Sequence, residues 1–520
     1  MTRKMFCCCA GLLLWARIPL CSQSNPLEGA DSEIENAMRA FDSVGLAVSV
    51  VNDGRVVYAK GFGVRRLGGP EKVDSRTVFG IGSCTKAFTA AALAMLVDEG
   101  KLSWDDLVID RLPSFRMSDP YATSEIRIRD LLTHRSGLGA FAGDLLCYPP
   151  TDFTEEEILA RIHHIPMADG LRYRSSYSNL MYVVLGKVIQ AVSGKTWSAF
   201  TEERIFTAVG MTTSSATARG LRDSANAAAP HMKRDGRNSV AEIWPQDNCG
   251  PPGAVNSSAE DMARWMIVQL QSGALPGDSG RRLFSTAAGR EMHSPQVAGA
   301  SSNWPDYLAP LRSDLAALGL GWRLKSYRGY KLVSHDGALP GFLASVMMIP
   351  EKRLGVVVLE NSMSGVMQPV SHLLLDRMLN VQPPFDWLAG FQKLGTLSSE
   401  TLQKRVAARP ESGTRPSLDL AEYAGKYTDP WRGEVEIKHE NGKLAIRFSR
   451  TEWLQGDLEH WHHDTFVARW RNRYLDADAL VTFALGSDGR IREVRMAPVS
   501  PSTDSSFDFR DLLLTPSGAK

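Results

Sequence analysis

The chain lacks a marked excess of charge of either sign. Its 59 lysines and arginines against 58 aspartates and glutamates leave a formal net charge of +1, and no basic cluster stands out. A role that depends on bulk electrostatic attraction to nucleic acid or to a membrane surface is therefore not expected. No nucleic-acid partner is predicted.

Apolar runs long enough to cross a bilayer are also missing. At the N-terminus, a charged start is followed by an apolar run from Met5 to Trp15 and a polar stretch from Cys21 to Asn25. This order is typical of a signal peptide, and the run is too short for a transmembrane helix. We expect residues 1–24 to direct export to the periplasm or the medium and to be removed. If they are retained, they would anchor the protein to the membrane.

Cysteine is scarce outside this leader. Of the seven cysteines, four lie in the leader, which leaves Cys84, Cys147 and Cys249. Three scattered thiols form neither a disulfide framework nor a metal site, so neither is predicted. Cys84 is interpreted as a small buried side chain, because no paired histidine motif accompanies it.

The rest of the composition is that of an ordinary globular protein. Hydrophobic residues make up 43% of the chain and charged residues 22%, which are common values. A length of 520 residues is enough for two or three domains, or for one large enzyme domain with an appendage.

A serine and a lysine stand at the start of an Ala-rich run. Apolar residues such as Phe88 and Leu96 recur at helical spacing and predict a helix buried along one broad face. Ser83 lies in the first predicted turn. Lys86 falls on the same side, because positions three apart are neighbours on a helix.

This pair can support nucleophilic chemistry. A hydroxyl beside a base is activated for attack, and lysine acts as a base only when it is neutral. Burial lowers the pKa of a lysine, and backbone N–H groups at a helix N-terminus can face a developing oxyanion. By itself the pattern has a plainer interpretation, which is an N-capping Ser83 and a solvated Lys86.

A second polar group lies in a loop before an apolar helix predicted from 180 to 192. There, Tyr177 and Asn179 stand two residues apart and can point the same way. A tyrosine can pass a proton to a leaving group, and an asparagine can hydrogen-bond an amide substrate or hold a lysine. The alternative is a polar turn in which Asn179 caps the helix.

A third group lies between strands predicted at 331–334 and 342–349. Here His335 is followed by Gly337 and Ala338. A glycine at an edge strand lets a substrate backbone approach closely, and the N–H of Ala338 is then a candidate oxyanion donor. A turn with an incidental histidine is the alternative.

Other local signals predict the surrounding elements. His134 could be catalytic on composition alone, but we favour a helix-end capping role for it. A hairpin, a closing strand and four helices complete the list: 45–51 with 55–60 around an Asp-Gly turn, 354–360, and helices at 31–41, 155–163, 259–271 and 371–379.

The C-terminal part differs in pattern. Residues 381–417 are predicted as a linker that holds only a short helix at 399–405. Beyond the linker, regularly spaced short strands predict a small antiparallel barrel over 418–515. The predicted strands are 433–439, 443–448, 465–470, 480–485, 491–496 and 506–510.

The run around His460 and His462 is the only metal-like cluster. In a strand these two side chains share a face, so two ligands are conceivable. No third ligand at suitable spacing completes a site, and we interpret the run as packing or a polar strand edge.

Three motifs now stand in a recognisable order, Ser83-x-x-Lys86, Tyr177-x-Asn179 and His335-x-Gly337, supported by the phrases at 131–138 and 258–263. From about residue 32 to 380 the chain resembles the serine β-lactamase-related hydrolases, which include class C β-lactamases, D-aminopeptidases, DD-peptidases and esterases. The resemblance implies an α/β domain with an antiparallel sheet flanked by helices, beside an all-α lobe. The barrel resembles the lipocalin-like domain often appended to this group.

By this resemblance, Ser83 attacks a carbonyl, Lys86 takes its proton, and Tyr177 relays protons to the leaving group. The N–H groups of Ser83 and Ala338 would form the oxyanion hole of an acyl-enzyme pathway, with Asn179, His335 and Gly337 also at the site. No metal ion or cofactor is implied.

One departure bears on substrate class. Where lactamases carry lysine in the third motif, this chain has His335, which is mostly neutral at pH 7 unless perturbed. A histidine pairs with a substrate carboxylate less reliably than a permanent cation does. D-amino-acid peptides or esters are therefore favoured over β-lactams.

The predicted partner is a small-molecule or peptide substrate, with possible homo-oligomerisation through the barrel. A non-catalytic binding or sensor protein with the lactamase fold is the alternative to an enzyme. We favour an enzyme over that alternative, because all three of the motifs named above are present.

Overall fold

The computed structural model describes residues 25–234, 236–277, 280–299, 301–405 and 410–518. The predicted signal peptide, residues 1–24, lies outside them. Among these described residues, no helix has both the length and the apolar character needed to cross a membrane.

Twelve strands precede the barrel within the described residues. In chain order they are β1 Gly45–Asn52, β2 Arg55–Gly63, β3 Phe79–Gly80, β4 His231–Arg234, β5 Arg237–Val240, β6 Asn256–Ser257, β7 Val297–Ala298, β8 Ala316–Leu318, β9 Arg323–Tyr327, β10 Tyr330–Leu339, β11 Phe342–Ile349 and β12 Leu354–Glu360. Eight of them form one sheet in the order β2-β1-β12-β11-β10-β9-β8-β7, and β3 with β6 and β4 with β5 form two small sheets. The pairings within the large sheet are antiparallel, as predicted.

Sixteen α-helices lie in the same described ranges. They are α1 Ala30–Phe41, α2 Lys86–Asp98, α3 Val108–Arg111, α4 Pro120–Glu125, α5 Ile128–Leu132, α6 Glu155–Arg161, α7 Leu180–Ser193, α8 Trp197–Phe200, α9 Thr207–Val209, α10 Ala218–Asp223, α11 Gly250–Gly253, α12 Ala259–Leu270, α13 Thr286–Met292, α14 Met367–Met378, α15 Trp387–Arg405 and α16 Leu420–Tyr423. The helices predicted at 31–41, 155–163, 259–271 and 371–379 are confirmed to within a few residues.

The central strands of the large sheet are apolar on both faces. Successive side chains of a strand point to opposite faces, so Val357 joins the core that contains α2 and α12, while Val358 joins the core that contains α1 and α14. The sheet is thereby covered by helices on both sides. The α/β layer with an adjoining helical lobe is the fold that the resemblance implied.

The helix after Ser83 differs from its prediction in two ways. Ser83 lies in a 3₁₀ turn, Gly82–Thr85, and the α-helix itself begins only at Lys86. The helix is also buried around its whole circumference from Lys86 to Leu96 rather than along one face, because it runs through the middle of the helical lobe. A helix that is apolar all round belongs in a core.

A closed eight-stranded barrel follows, with strands adjacent in sequence also adjacent in space. Its strands are β13 Gly425–Asp429, β14 Gly433–Glu440, β15 Lys443–Phe448, β16 Gln455–His462, β17 Thr465–Trp470, β18 Ala479–Leu485, β19 Ile491–Pro498 and β20 Leu513–Pro516. The predicted barrel is confirmed, although β13, β16 and β20 were not predicted. The predicted strand at 506–510 is wrong, since this segment is a loop and a short 3₁₀ turn.

The segment between sheet and barrel holds more structure than a linker. Helix α15 spans nineteen residues, Trp387–Arg405, where only a short helix at 399–405 is predicted. Trp387 and Phe391 are buried in the core formed with α1 and α14. This apolar anchoring ties the first turns of α15 to the sheet domain.

The barrel is docked on the helical lobe through charged groups. The guanidinium of Arg450 donates two hydrogen bonds of 3.0 Å to the Glu157 carboxylate and also pairs with Asp152. It lies 4.2 Å from the centre of the Phe153 ring. Bidentate arginine–carboxylate pairs fix orientation as well as distance, so this contact sets how the barrel faces the lobe.

A disulfide joins Cys147 to Cys249 across 102 residues. The prediction that these thiols form no cross-link is therefore wrong. Both cysteines are buried, and their pairing depends on a tertiary contact that spacing does not reveal. Cys84 is free and buried, as predicted.

Candidate active site

The turn that carries Ser83 packs against the strand that carries Ala338. Gly82 adopts φ +49°, and a Cβ at this position would come within 2.7 Å of the Ala338 nitrogen. Glycine tolerates both the left-handed backbone and the close approach. The local chain therefore places the backbone of Ser83 directly beside Ala338.

Ser83, Lys86 and Tyr177 converge as the sequence predicts. The Oγ atom of Ser83 is 3.2 Å from Nζ of Lys86 and 2.7 Å from the hydroxyl oxygen of Tyr177. Both distances are within hydrogen-bonding range or at its edge. Two residues 94 positions apart, Ser83 and Tyr177, are brought together by the packing of the α7 region on α2.

The amine of Lys86 is buried and has three partners. Besides Ser83, its Nζ donates to Oδ1 of Asn179 at 2.8 Å and to the carbonyl oxygen of Pro252 at 3.0 Å. Burial lowers the pKa of Lys86 to about 7, although the nearby Asp144 carboxylate acts in the opposite direction. A neutral amine has two N–H bonds, which the two carbonyl oxygens occupy, and one lone pair, which is left facing Ser83.

Tyr177 is held by rings on both sides. Its ring lies 4.5 Å from that of His134 and 5.2 Å from that of Phe141, and Nζ of Lys86 is 4.7 Å from its centre. Burial raises the pKa of Tyr177 well above its usual value. The phenol therefore keeps its proton at neutral pH and faces Ser83 as a donor.

Asn179 has a partner that sequence reasoning missed. Its Nδ2 donates to Oδ2 of Asp144 at 2.8 Å, while its Oδ1 accepts from Lys86. Asp144 is buried, and burial raises its pKa to about 7. No local motif marks this aspartate. Asn179 occupies the N-cap position of α7 without a side-chain capping bond, so its amide is free for these two contacts.

His335, Gly337 and Ala338 lie within β10 rather than in a connection between strands. This strand is central in the sheet, but β9 pairs only with its first half, up to Ser334. The second half therefore has a free edge, which faces the Ser83 turn. A Cβ on Gly337 would come within 1.9 Å of the Ile81 oxygen and 3.1 Å of the Ser83 nitrogen.

His335 is buried and neutral. Burial, followed by the charges of Arg323 and Lys86, lowers its pKa to about 3. Its Nδ1–H donates to the carbonyl oxygen of Asp336 at 2.7 Å. The third motif therefore carries no positive charge of its own at neutral pH.

A cation that was not predicted stands next to this histidine. Arg323 on β9 is paired in register with Ser334, the neighbour of His335. Its side chain is exposed and makes no hydrogen bond or ion pair with any residue the structure describes. It lines a cavity together with Tyr177 and His335. A Trp-Arg pair at the start of a strand carries no motif by which sequence could have found it.

The barrel contributes to a second cavity. This cavity is lined by Ser83 and Asn179 from the sheet domain and by five barrel residues, Tyr474, Leu475, Asp504, Ser506 and Phe507. The last three belong to the loop between β19 and β20. Side chains of both domains thus surround the serine hydroxyl.

The two histidine groups of the sequence have separate outcomes. His134 is buried behind Tyr177, and its Nδ1 accepts from the backbone N–H of Ser178 at 3.2 Å. It supports the tyrosine loop, which is a structural role but not the helix-end capping predicted for it. His460 and His462 lie on β16 of the barrel, away from Ser83, and no cluster of metal-binding side chains occurs in the described ranges.

Comparisons with known proteins identify the family of this chain. A family model described as Beta-lactamase matches residues 30–377, and one described as a domain of unknown function (DUF3471) matches residues 409–516. The unguisins hydrolase ungD of Aspergillus violaceofuscus is 27% identical, over 86% of this chain and 84% of that protein.

Two solved structures share the fold. The octameric penicillin-binding protein homologue from Pyrococcus abyssi aligns with a TM-score of 0.60 and 22% identity, over 94% of this chain and 99% of its own. D-amino acid amidase from Ochrobactrum anthropi SV3 aligns with a TM-score of 0.55 and 22% identity, over 68% of this chain and 98% of its own. The first alignment spans the barrel as well as the sheet domain. Because the Beta-lactamase model covers more than half of the sequence, at residues 30–377, the chain belongs to the Beta-lactamase family of serine hydrolases.

Proposed function

We propose that the protein hydrolyses small amide or ester substrates through an acyl-enzyme on Ser83. The observation that carries this proposal is the contact of the Ser83 hydroxyl with both a buried amine and a phenol, at 3.2 Å and 2.7 Å. A binding protein has no need of a buried lysine whose pKa is held near 7. Perturbed titratable groups in a cleft are typical of catalytic sites.

In the first step the Ser83 oxygen attacks the substrate carbonyl and its proton moves to the neutral Lys86. The carbonyl oxygen takes up the electron pair and faces the N–H groups of Ser83 and Ala338. Backbone donors that are fixed before the reaction stabilise this charge without reorganising. The close packing at Gly82 and Gly337 supports the pairing of these two donors.

The tetrahedral intermediate then loses the leaving group as the bond from its carbon to the leaving nitrogen or oxygen breaks. Tyr177, whose raised pKa keeps its hydroxyl protonated, passes its proton to the leaving atom and regains one from the Lys86 ammonium, which becomes neutral again. Water next attacks the Ser83 ester, and its proton follows the reverse path to Lys86. Hydrolysis regenerates the free serine and releases the acid.

We further propose short peptides and amides of D-amino acids as the favoured substrates. The neutral His335 offers no charge to a substrate carboxylate, but Arg323 beside it offers a permanent one. A guanidinium binds a carboxylate well, so a leaving group that ends in a carboxylate fits this side of the cleft. The chain shares its fold with a D-amino acid amidase, and this likeness supports the D-configuration.

Arg323 also changes the expectation for β-lactams. These compounds carry a carboxylate, and with a cation on β9 the neutrality of His335 alone no longer weighs against them. We propose D-peptides or esters over β-lactams as substrates, and a direct comparison of the two classes tests this preference.

Labelling tests the proposed function. A fluorophosphonate probe should label intact protein, Ser83→Ala should not label, and Ser505→Ala, on the exposed barrel loop, should label like the wild type. Equal labelling of the wild type and Ser83→Ala would contradict the role of Ser83. Steady-state assays with D-aminoacyl amides, p-nitrophenyl esters and nitrocefin then rank the three substrate classes, and a non-catalytic binding protein would turn over none of them.

Export and self-association are further proposals. The disulfide between Cys147 and Cys249 supports an oxidising compartment, because such bonds are rare in the cytosol. A shared fold with an octameric homologue that also spans the barrel region supports assembly. Fractionation of the expressing cells tests export. Light scattering of the full chain, compared with a chain that ends before the barrel, tests self-association.

A further inference from the structure

Asp144 is a buried carboxylate that touches no substrate cavity directly and yet connects to the catalytic amine. Its Oδ2 accepts from Nδ2 of Asn179 at 2.8 Å, and Oδ1 of Asn179 in turn accepts from Lys86 at 2.8 Å. A flip of the Asn179 amide by 180° would exchange the positions of its oxygen and its nitrogen. The Asp144 oxygen in this contact accepts, so Asp144 fixes the amide with its nitrogen toward Asp144 and its oxygen toward Lys86.

The other side of Asp144 faces the barrel. Ser506, in the loop between β19 and β20, lines the same cavity as Asn179, and its hydroxyl acts to lower the pKa of Asp144 that burial raises. Oδ1 of Asp144 is buried and has no hydrogen-bond partner among the described residues. In the same loop, the Asp508 carboxylate accepts from the backbone N–H of Gly143 at 3.1 Å. The barrel itself is fixed to the lobe through Arg450 and Glu157. The contact of Asp508 with Gly143 and the pair formed by Arg450 and Glu157 together hold the loop beside Asp144.

We propose that Asp144 is a positioning residue through which the barrel loop 504–508 holds the Asn179 amide and thereby Lys86 against Ser83. The proposal rests on the function proposed above and gives the barrel a part in it. The chain of contacts runs from a separate domain through one carboxylate and one amide to the base. Asp144 itself handles no reacting proton, which stays with Lys86 and Tyr177 as proposed above.

The charge of Asp144 gives this role a measurable signature. A negative group near an ammonium raises its pKa, and the carboxylate lies one amide away from Nζ. The titratable or charged groups that face Lys86 are Cys84, His134, Asp144, Tyr177, Tyr182, Arg323 and His335. Those that face Asp144 are Lys86, Tyr148, Tyr177, Asp504 and Asp508. Removal of the Asp144 charge lowers the pKa of Lys86, while the other groups remain.

The experiment follows the rate of fluorophosphonate labelling of the full chain against pH. Asp144→Asn keeps the shape and an oxygen that can accept from Asn179. We expect the acidic limb of its profile to move to lower pH by about one unit, because the amine is easier to deprotonate. Asp144→Ala also frees the Asn179 amide, and we expect a rate loss of about tenfold or more at every pH.

The barrel end of the contact has its own variant. Without the hydroxyl in Ser506→Ala, Asp144 holds its proton to higher pH, so the acidic limb should shift in the same direction but less. The matched control is Ser505→Ala, because Ser505 is exposed and makes no hydrogen bond with the described part of the chain. In the Asp144→Asn background, Ser506→Ala should add no further shift, since the two positions act through one path.

The outcomes separate this inference from the proposed function. A wild type that does not label overturns both. A wild type that labels, with profiles of Asp144→Asn and Ser506→Ala that superpose on it, overturns the positioning role alone. A lower labelled fraction with an unmoved acidic limb would show that Asp144 serves only folding, and it too overturns the role. Because Ser506 lies in a surface loop, its variant keeps the test open if a change at Asp144 prevents folding.

Discussion

The buried amine of Lys86 predicts an unusual dependence of stability on pH. Burial lowers its pKa from 10.5 in a free lysine to about 7. Between these two values the unfolded chain binds a proton that the folded chain does not bind, so the free energy of unfolding rises with pH. The full shift corresponds to about 5 kcal/mol. At about pH 7 and below, the unfolding free energy is therefore lower by most of this amount than it would be if Lys86 kept the pKa of a free lysine.

Replacement by methionine isolates the effect. Lys86→Met keeps an unbranched side chain of similar length but has nothing to protonate. The carbonyl oxygens of Asn179 and Pro252 lose their donor in the variant, which costs about 1 to 3 kcal/mol each, but this cost does not depend on pH. The quantity to measure is therefore the difference in unfolding free energy between wild type and variant, as a function of pH.

Reversible denaturation with urea at several pH values between about 7 and 10 gives this difference. We expect the unfolding free energy of the wild type to rise by several kcal/mol relative to that of Lys86→Met between about pH 7 and pH 10. Lys187→Met is the matched control. Burial acts to lower the pKa of Lys187, but its hydrogen bonds to Glu156 and Glu155 and the charges of these two carboxylates together outweigh burial and raise the pKa. Lys187 therefore titrates above this pH range, and the difference for Lys187→Met stays flat. A flat difference for Lys86→Met as well would mean that the amine is charged in the folded protein, and Lys86 could not be the base.

Three further changes test other parts of the site. Gly337→Ala forces a Cβ to within 1.9 Å of the Ile81 oxygen, and this displacement of the oxyanion donors should slow labelling by about a hundredfold; an unchanged rate would contradict the proposed oxyanion hole. The Cys147→Ser/Cys249→Ser double variant should lose about 4 to 5 kcal/mol of unfolding free energy, as expected for a closed loop of about 100 residues; a chain that is equally stable in denaturant would contradict the structural weight of the bond. Arg323→Ala should raise KM for substrates with a carboxylate on the leaving group by about tenfold or more and leave their uncharged amides unaffected; equal changes for both would remove the guanidinium from substrate binding.

The catalytic groups could be predicted because each depends on short-range geometry. Ser83 and Lys86 are three residues apart at the start of a helix, and Tyr177 and Asn179 are two apart before another. Such spacings fix which side chains share a face. The strands around His335 follow from their apolar pattern in the same way. Their convergence on one point was predicted only through the resemblance, not from spacing.

The residues that were missed depend on long-range contacts. Asp144 meets Asn179 across 35 residues, and Cys147 meets Cys249 across 102. Arg323 lies at the site only because β9 pairs with β10. No local period or motif marks these positions, because their partners are chosen by how the helical lobe packs on the sheet.

The misplaced barrel strand has a physical reason as well. The segment 506–510 has alternating apolar residues, Phe507 and Phe509, which are both buried and which predict a strand. In the structure these rings anchor a loop and a 3₁₀ turn to the barrel instead. The polar residues between and before them, Ser506 and Asp508, are thereby turned toward Asp144 and Gly143. A pattern typical of a strand here serves to hold a loop at the active site.

A lysine and a carboxylate buried together are costly, so the surroundings of Lys86 and Asp144 must be rigid to keep them. The disulfide contributes to this rigidity. Asp144 lies three residues before Cys147, and Pro252 lies three residues after Cys249. The bond therefore ties together the two segments whose oxygens fix the lysine, one through Asn179 and one directly. Because the barrel loop contacts the first of these segments and the disulfide joins it to the second, loosening either should disturb the same atom, Nζ of Lys86, before it disturbs the sheet.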